Sequence, residues 1–248
     1  MRIKFAHLFK SMLSKINPSE LWLPGISVDC VIFGFHENQL KVLLLKFIKS
    51  PVWALPGGFV GLEEDVDQAA ARVLYERTGL TDIFLEQFYT FGDLARNYRA
   101  TEEHRDVNTA MGRSEDEVSW LSKRYITIGY YALVDYSKVV VNPGDISDKA
   151  EWVDVASLPK LFLDHNRIVI KALDSLRKSL DEKLIAFELL AETFTMSELQ
   201  VVYETILGKR LVRTNFQRKI LSLDILDRIE KKYSGGAHKA PYLYRLKP

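Results

Sequence analysis

The sequence predicts an α/β (α+β) chain of two units, a body of strands and helices followed by a small basic unit that ends in a hairpin. Two apolar, β-branched runs, residues 26–35 and 40–47, are separated only by the polar break His36-Glu37-Asn38-Gln39, the layout of paired strands. A segment with helical apolar spacing follows the sharp turn Pro56-Gly57-Gly58. Charge is also partitioned: residues 205–248 hold eleven basic against three acidic residues, a net +8, so a chain of net +1 leaves −7 on the remainder. An acidic body with a basic end is the electrostatic footprint of a nucleic-acid module attached to something else. The 248 residues suit two domains of ordinary size.

Residues 1–25 read as an N-terminal arm. Arg2, Lys4, Lys10 and Lys15 interrupt Ile3, Phe5, Leu8, Phe9, Met12 and Leu13, and no small-residue cleavage site follows. That pattern suits an amphipathic arm docked on this chain or a second subunit better than a targeting peptide or membrane-surface helix. No apolar run is long enough to span a bilayer, so no membrane partner is expected. The lone cysteine, Cys30, has no disulfide partner within the chain and sits in an apolar run, as a small buried hydrophobe in a reducing compartment does.

After the glycine turn, Asp65 and Gln68 have capping-box spacing, Val66, Ala69, Ala70, Val73 and Leu74 form one apolar face, and Gly79 stands where a helix ends. Strand-like runs return at 83–91, 125–134, 139–141 and 150–153. Residues 96–124 read as an insertion, with a short helix opening at Ser114 and Glu117. A connecting helix is expected over 166–183, with Ile168, Ala172, Leu173, Leu176 and Leu180 on one side, and a boundary near residue 184.

In the terminal unit, 184–248, Thr195 and Glu198 form a second capping box. Leu199, Val202, Tyr203 and Ile206 make the helix's buried stripe, and Gly208 ends it. Thr214 is placed to cap a second helix with Phe216, Ile220 and Leu223 buried. Thr214, Arg218 and Ser222 then lie opposite, flanked by Asn215 and Lys219. Helix, turn and basic second helix form a helix-turn-helix pattern, and Asp227–Glu230, Gly235-Gly236 and Tyr242–Arg245 read as a hairpin wing. A solvated basic face, or one that binds an acidic protein, is the alternative.

Gly58, Glu64, Arg72, Leu74, Glu76, Gly79 and Leu80 fall at the spacings of the Nudix box, and residues 26–165 resemble the Nudix family. The resemblance implies a Nudix-type mixed-sheet α/β/α sandwich. In active members three glutamates at i, i+3 and i+4 gather around Mg²⁺; the matching positions here are Val73, Glu76 and Arg77. One ligand has become apolar and another a cation directed at the ion's place. The expectation is therefore no catalytic residue, no metal and no cofactor, with residual hydrolysis of ADP-ribose or another nucleoside diphosphate derivative as the alternative. The five histidines are too scattered for a metal spacing. Gly57, Gly58, Phe59, Glu63, Glu64, Arg72, Glu76, Tyr130, Asp164 and His165 are the candidates for binding a small-molecule effector. Arg72 and Glu76 equally fit a simple ion pair one helical turn apart.

The string FTMSELQVVYETILGKRLVRTNFQRKIL resembles the C-terminal winged helix of the Nudix-related transcription regulators, known for control of NAD biosynthesis and of arabinose or other pentose use. That resemblance covers nearly the whole chain except the arm and the insertion. It implies a cytoplasmic homodimer on double-stranded operator DNA, released or re-set by a pentose sugar or an ADP-ribose-like nucleotide sugar. The sequence around Phe162–His165 and Tyr130-Tyr131 favours the sugar-responsive branch. Thr214, Asn215 and Arg218 are the candidates for base edges, and Lys209, Arg210, Arg213, Lys219 and Lys239 for phosphates.

Overall fold

The computed structural model describes residues 21–81, 83–94, 96, 107–109, 111–113, 115–180, 185–232 and 240–247. Most of the N-terminal arm, Ser114, the 181–184 link, the Gly235-Gly236 turn and Lys239 lie outside the described residues.

A mixed seven-stranded sheet organises the body. Strand β1 (Trp22–His36) runs antiparallel to β2 (Gln39–Phe47) and parallel to β6 (Ile126–Val134), from Ile26↔Ile126 to Gly34↔Val134. Strands β3 (Trp53–Ala54) and β7 (Ser147–Asp154) pair with β2, β4 (Gly57–Gly61) with β1, and β5 (Leu85–Phe91) with β6. The β1–β2 connection is tighter than the polar break predicts. Glu37 and Asn38, at φ 51° and 59°, form a two-residue turn between the paired His36 and Gln39. Both central residues in the left-handed region match the right-handed twist of a hairpin.

Alternation along β1 splits the core in two. Val28, Cys30 and Ile32 face helix α1 (Val66–Thr78), whereas Val31 and Phe33 join a larger cluster with helix α3 (His165–Ser179). The α/β/α sandwich follows from this period of two, with apolar residues on both strand faces. Asp65 and Gln68 do form a reciprocal capping box on α1, and Gly79 closes it at φ 70°. Residues 139–141 form no strand. Val140 N–H and Asn142 N–H instead donate to Thr78 and Arg77 carbonyls at the end of α1, so this β-branched triplet is spent on a helix terminus rather than a ladder. Helix α2 (Glu115–Leu121) lies in the insertion.

The second unit is a three-stranded sheet, β8 (Phe194–Thr195), β10 (Tyr242–Leu246) and β9 (Leu226–Lys231), with helices α4 (Met196–Leu207) and α5 (Arg213–Ser222). It is not a bead on a string. Phe33, Val42 and Leu44 of the first sheet, Ile168 and Leu176 of α3, and Val202, Phe216 and Ile220 of the second unit belong to one contiguous buried cluster. Among the described residues no helix is long and apolar enough to cross a membrane.

Candidate effector cavity and nucleic-acid interface

On the sheet face that α3 covers, a cavity opens where that helix begins. Ser27, Asp29 and Thr127, on neighbouring strands, line it together with the rings of Phe47, Phe59, Tyr125 and Phe162. Phe59 stands edge-on to Trp120 at 4.5 Å and tilted against Tyr125 at 5.2 Å. Three cations, Arg96, Arg113 and Lys123, reach the same space, all from the 96–124 insertion. Burial pushes the Arg113 guanidinium below its ordinary value, with Glu117 opposing the shift.

Arg96 is the polar centre. Its side chain is 5% exposed and donates to Asp164 Oδ1 at 2.8 Å, to Asp29 Oδ2 at 3.2 Å and to the Thr127 hydroxyl. His165 Nδ1 accepts from the Leu55 N–H at 2.9 Å, which leaves Nε2 3.8 Å from Asp29 Oδ2. Gly57 is required beside this cluster. A Cβ there would stand 2.4 Å from Asp29 Oδ1 and 2.9 Å from the Val28 carbonyl oxygen.

Helix α1 presents a different network. Arg72 grips Glu64 with two donors, Nη2 at 2.6 Å and Nε at 3.0 Å, while also donating to the Phe59 carbonyl at 3.0 Å and more loosely to Glu76 at 3.4 Å. The Gly61 N–H completes the shell of Glu64 at 2.7 Å, and the Arg72 fork holds that carboxyl below its usual range. Arg77 turns away to the 142–145 loop and donates to the Pro143 carbonyl at 3.2 Å. Burial there pushes its pKa down.

In the second unit, Thr195 and Glu198 form the predicted capping box on α4, and Gly208 ends that helix at φ 67°. Glu204 pins the turn to α5: its carboxylate accepts from the Leu211 N–H at 2.8 Å, from Gln200 at 2.9 Å and from Arg210 at 3.2 Å. Those bonds, the Leu211 N–H first, hold it below the ordinary carboxylate range. Helix α5 starts two residues earlier than expected, at Arg213, and its N-cap residue is Val212 with no side-chain cap bond. Thr214 therefore sits in the first turn and does not cap. Phe216 and Ile220 are buried, Phe216 edge-on to Tyr203 at 5.1 Å, while Lys209, Arg210, Arg213, Thr214, Asn215, Arg218 and Lys219 are exposed. Amphipathicity thus turns Phe216 and Ile220 inward and the basic side chains outward, whereas Leu223, expected in the buried stripe, is 43% exposed just past the helix end.

Residues 23–173 match the family described as the NUDIX domain. The chain belongs to the NUDIX family. Residues 186–246 match the NrtR DNA-binding winged helix domain. The chain is 29% identical to the ADPR responsive transcriptional repressor NtrR of Acinetobacter baylyi, over 99% of this chain and 91% of that protein. It is 28% identical to the ADP-ribose pyrophosphatase of Methanocaldococcus jannaschii over 59% of this chain and 71% of that one. The crystal structure of Shewanella oneidensis NrtR complexed with a 27mer DNA superposes with a TM-score of 0.67 at 29% identity, covering 90% of this chain and 93% of that one.

The NUDIX box of this chain does not fit a divalent ion. Val73 is 1% exposed and packs against the site of Gly58, so its position belongs to the core. Glu64 has its oxygens taken by Arg72 and Gly61, and Glu76 leans on Arg72. Among the described residues no group of three or more His, Cys, Asp or Glu is arranged to hold a metal. Arg77, expected to face the ion's place, instead packs beneath Gly144 and donates to the Pro143 carbonyl.

Of the ten candidate effector residues, Gly57, Gly58, Phe59 and His165 line the cavity and Asp164 joins it through Arg96. Glu63 is exposed, and Glu64, Arg72 and Glu76 are engaged with one another outside the lining. Tyr130 lies in the α1-side core, its hydroxyl donating to Asp67. Sequence reasoning passed over Asp29, Arg96 and Arg113. Asp29 alone carried a signal, a carboxylate inside the apolar run Val28–Phe33.

Proposed function

We propose that this chain is an ADP-ribose-responsive transcriptional repressor, a cytoplasmic homodimer that binds operator DNA through its winged helix and whose NUDIX domain senses its ligand without hydrolysing it. The observation that carries the reading is the cavity at the start of α3, where three cations stand beside four aromatic rings. A diphosphate joined to a base calls for that combination: guanidinium and ammonium groups for phosphate oxygens, ring faces for the base. A neutral pentose brings no anion for Arg113 and Lys123 to meet, and has nothing with which to compete for Arg96, which is already paired with Asp29 and Asp164. The full-length likeness to an ADPR responsive repressor points the same way. The winged helix supplies the other half, an exposed basic α5 held on a buried apolar stripe.

The test is selection of bound sequences from a random duplex pool, with and without ADP-ribose, arabinose or xylose. A motif of two half-sites is expected, weakened by ADP-ribose and indifferent to the pentoses. Binding that shows no motif and only fades with salt would contradict the reading.

Within this reading, Arg218→Ala should cost about 1–3 kcal/mol at the operator and relax preference at one base position. Lys219→Ala should instead weaken all duplexes about equally. Matching profiles for the two variants would remove the distinction between base and phosphate contacts.

The likeness to an ADP-ribose pyrophosphatase supports a second reading, residual hydrolysis. The engagement of Glu64 and Glu76 with Arg72, and the buried valine at position 73, weigh against it. Incubation of concentrated protein with ADP-ribose and Mg²⁺ is expected to release no AMP, and stoichiometric or faster release would reinstate it.

A further inference from the structure

The start of α3 lacks the side-chain cap that its own N-cap residue could supply. Asp164 is the helix N-cap residue, yet its side chain makes no capping bond; Oδ1 instead accepts from Arg96 Nε at 2.8 Å. A helix N-terminus leaves backbone N–H groups without partners, and an aspartate at the cap normally takes one of them. Here the cavity cation has captured the capping group. The residue before it, Leu163, is held at φ 51°, and the Phe162 N–H donates to the Trp53 carbonyl at 2.7 Å, so the chain on that side is pinned to β3.

The far end of the same helix is tied to the winged helix. Arg177 Nε donates at 2.7 Å to the carbonyl of Ile206 in the last turn of α4, and Leu176 lies in the core shared by both units. Helix α4 in turn carries Tyr203, against which Phe216 of α5 packs. A single rigid element thus touches the cavity at its first residue and the DNA-binding unit at its last turn.

We propose that Arg96 is the residue through which an anionic effector is sensed: phosphate oxygens entering the cavity take its guanidinium, and the released Asp164 caps α3, re-seating that helix against α4. The inference rests on the effector reading above and adds its wiring. The two ligand states differ in a named contact, as any effector that shifts an equilibrium requires.

The test uses full-length protein, ADP-ribose and a duplex carrying the selected operator. Calorimetry measures ADP-ribose binding, and fluorescence anisotropy measures operator affinity with and without it. Asp164→Ala removes both partnerships. Asp164→Asn keeps the shape and a capping oxygen but drops the charge that competes for Arg96. Asp164→Asn should bind ADP-ribose several-fold more tightly than the parent, because one of the two carboxylates that compete with phosphate for Arg96 is gone and only Asp29 remains. In Asp164→Ala the change in operator affinity caused by ADP-ribose should fall below about twofold, since the switch has no second position. By reciprocity, saturating operator should then change ADP-ribose affinity by the same small factor. Should Asp164→Ala not fold, Asp164→Asn still decides by its ADP-ribose affinity. Either variant binding and responding as the parent does would overturn the relay while leaving the effector reading intact. No ADP-ribose heat in the parent protein would sink the effector reading and the relay with it.

Discussion

Arg96→Ala is expected to lower the unfolding free energy by roughly 3–5 kcal/mol, because it strands the buried carboxylate of Asp29 and the half-buried one of Asp164. Asp29 and Asp164 are 10% and 15% exposed at their side chains, and both face the same guanidinium. Deleting one member of a buried pair costs more than the pair was worth, since the remaining charge keeps its desolvation penalty without its partner. Urea denaturation followed by tryptophan fluorescence reads the loss. Adding Asp29→Asn to Arg96→Ala should return part of it, because one stranded charge is gone. A single-variant loss within about 1 kcal/mol, the size of an exposed pair, would mean that water reaches the cluster freely.

Phe216→Ala should cost about 3–5 kcal/mol, the range for emptying an aromatic site in a packed core. Phe216 is 5% exposed and belongs to the buried cluster that runs without a break from Phe33 and Leu44 through α3 to Ile220. The loss should therefore appear in both units together. Fluorescence of the four tryptophans, all of which precede residue 184, reports the NUDIX unit, and hydrogen exchange of the α4 and α5 amides along the same denaturant series reports the winged helix. Coincident transitions at lower denaturant are expected for the variant, as for the parent. Separate melting of the winged helix ahead of the sheet would contradict a common core.

Local chemistry was legible in the sequence wherever it is decided within one turn of chain. Asp65 with Gln68, Thr195 with Glu198, and the closing glycines Gly79 and Gly208 mark helix ends because caps involve residues three or four apart. The valines at 139–141 misled for the opposite reason: Val140 N–H and, just beyond them, Asn142 N–H donate to the carbonyls of Thr78 and Arg77, some sixty residues away. Tyr130 was also ambiguous, since adjacent strand residues point to opposite faces and only the sheet's packing says which side holds the cavity. The cavity itself was the least legible feature. Its centre joins Arg96 to Asp29 and Asp164, which are 67 and 68 positions from it in the chain. Nothing in local pattern announces such a meeting. The Arg72–Glu64 fork shows the converse, a motif legible to the residue whose side chains are occupied with each other.

Glu204 has a consequence for how this protein would meet a nucleic acid. Its carboxylate already neutralises Arg210 in the turn before α5. A DNA phosphate arriving at that guanidinium exchanges one anion for another, whereas one arriving at a solvated lysine such as Lys209 drives a condensed sodium ion into bulk water. The entropy of that release is what makes binding sensitive to salt. Arg210 would then hold DNA in place while contributing little to the ionic-strength slope, so a phosphate count taken from that slope would fall short of the contacts made.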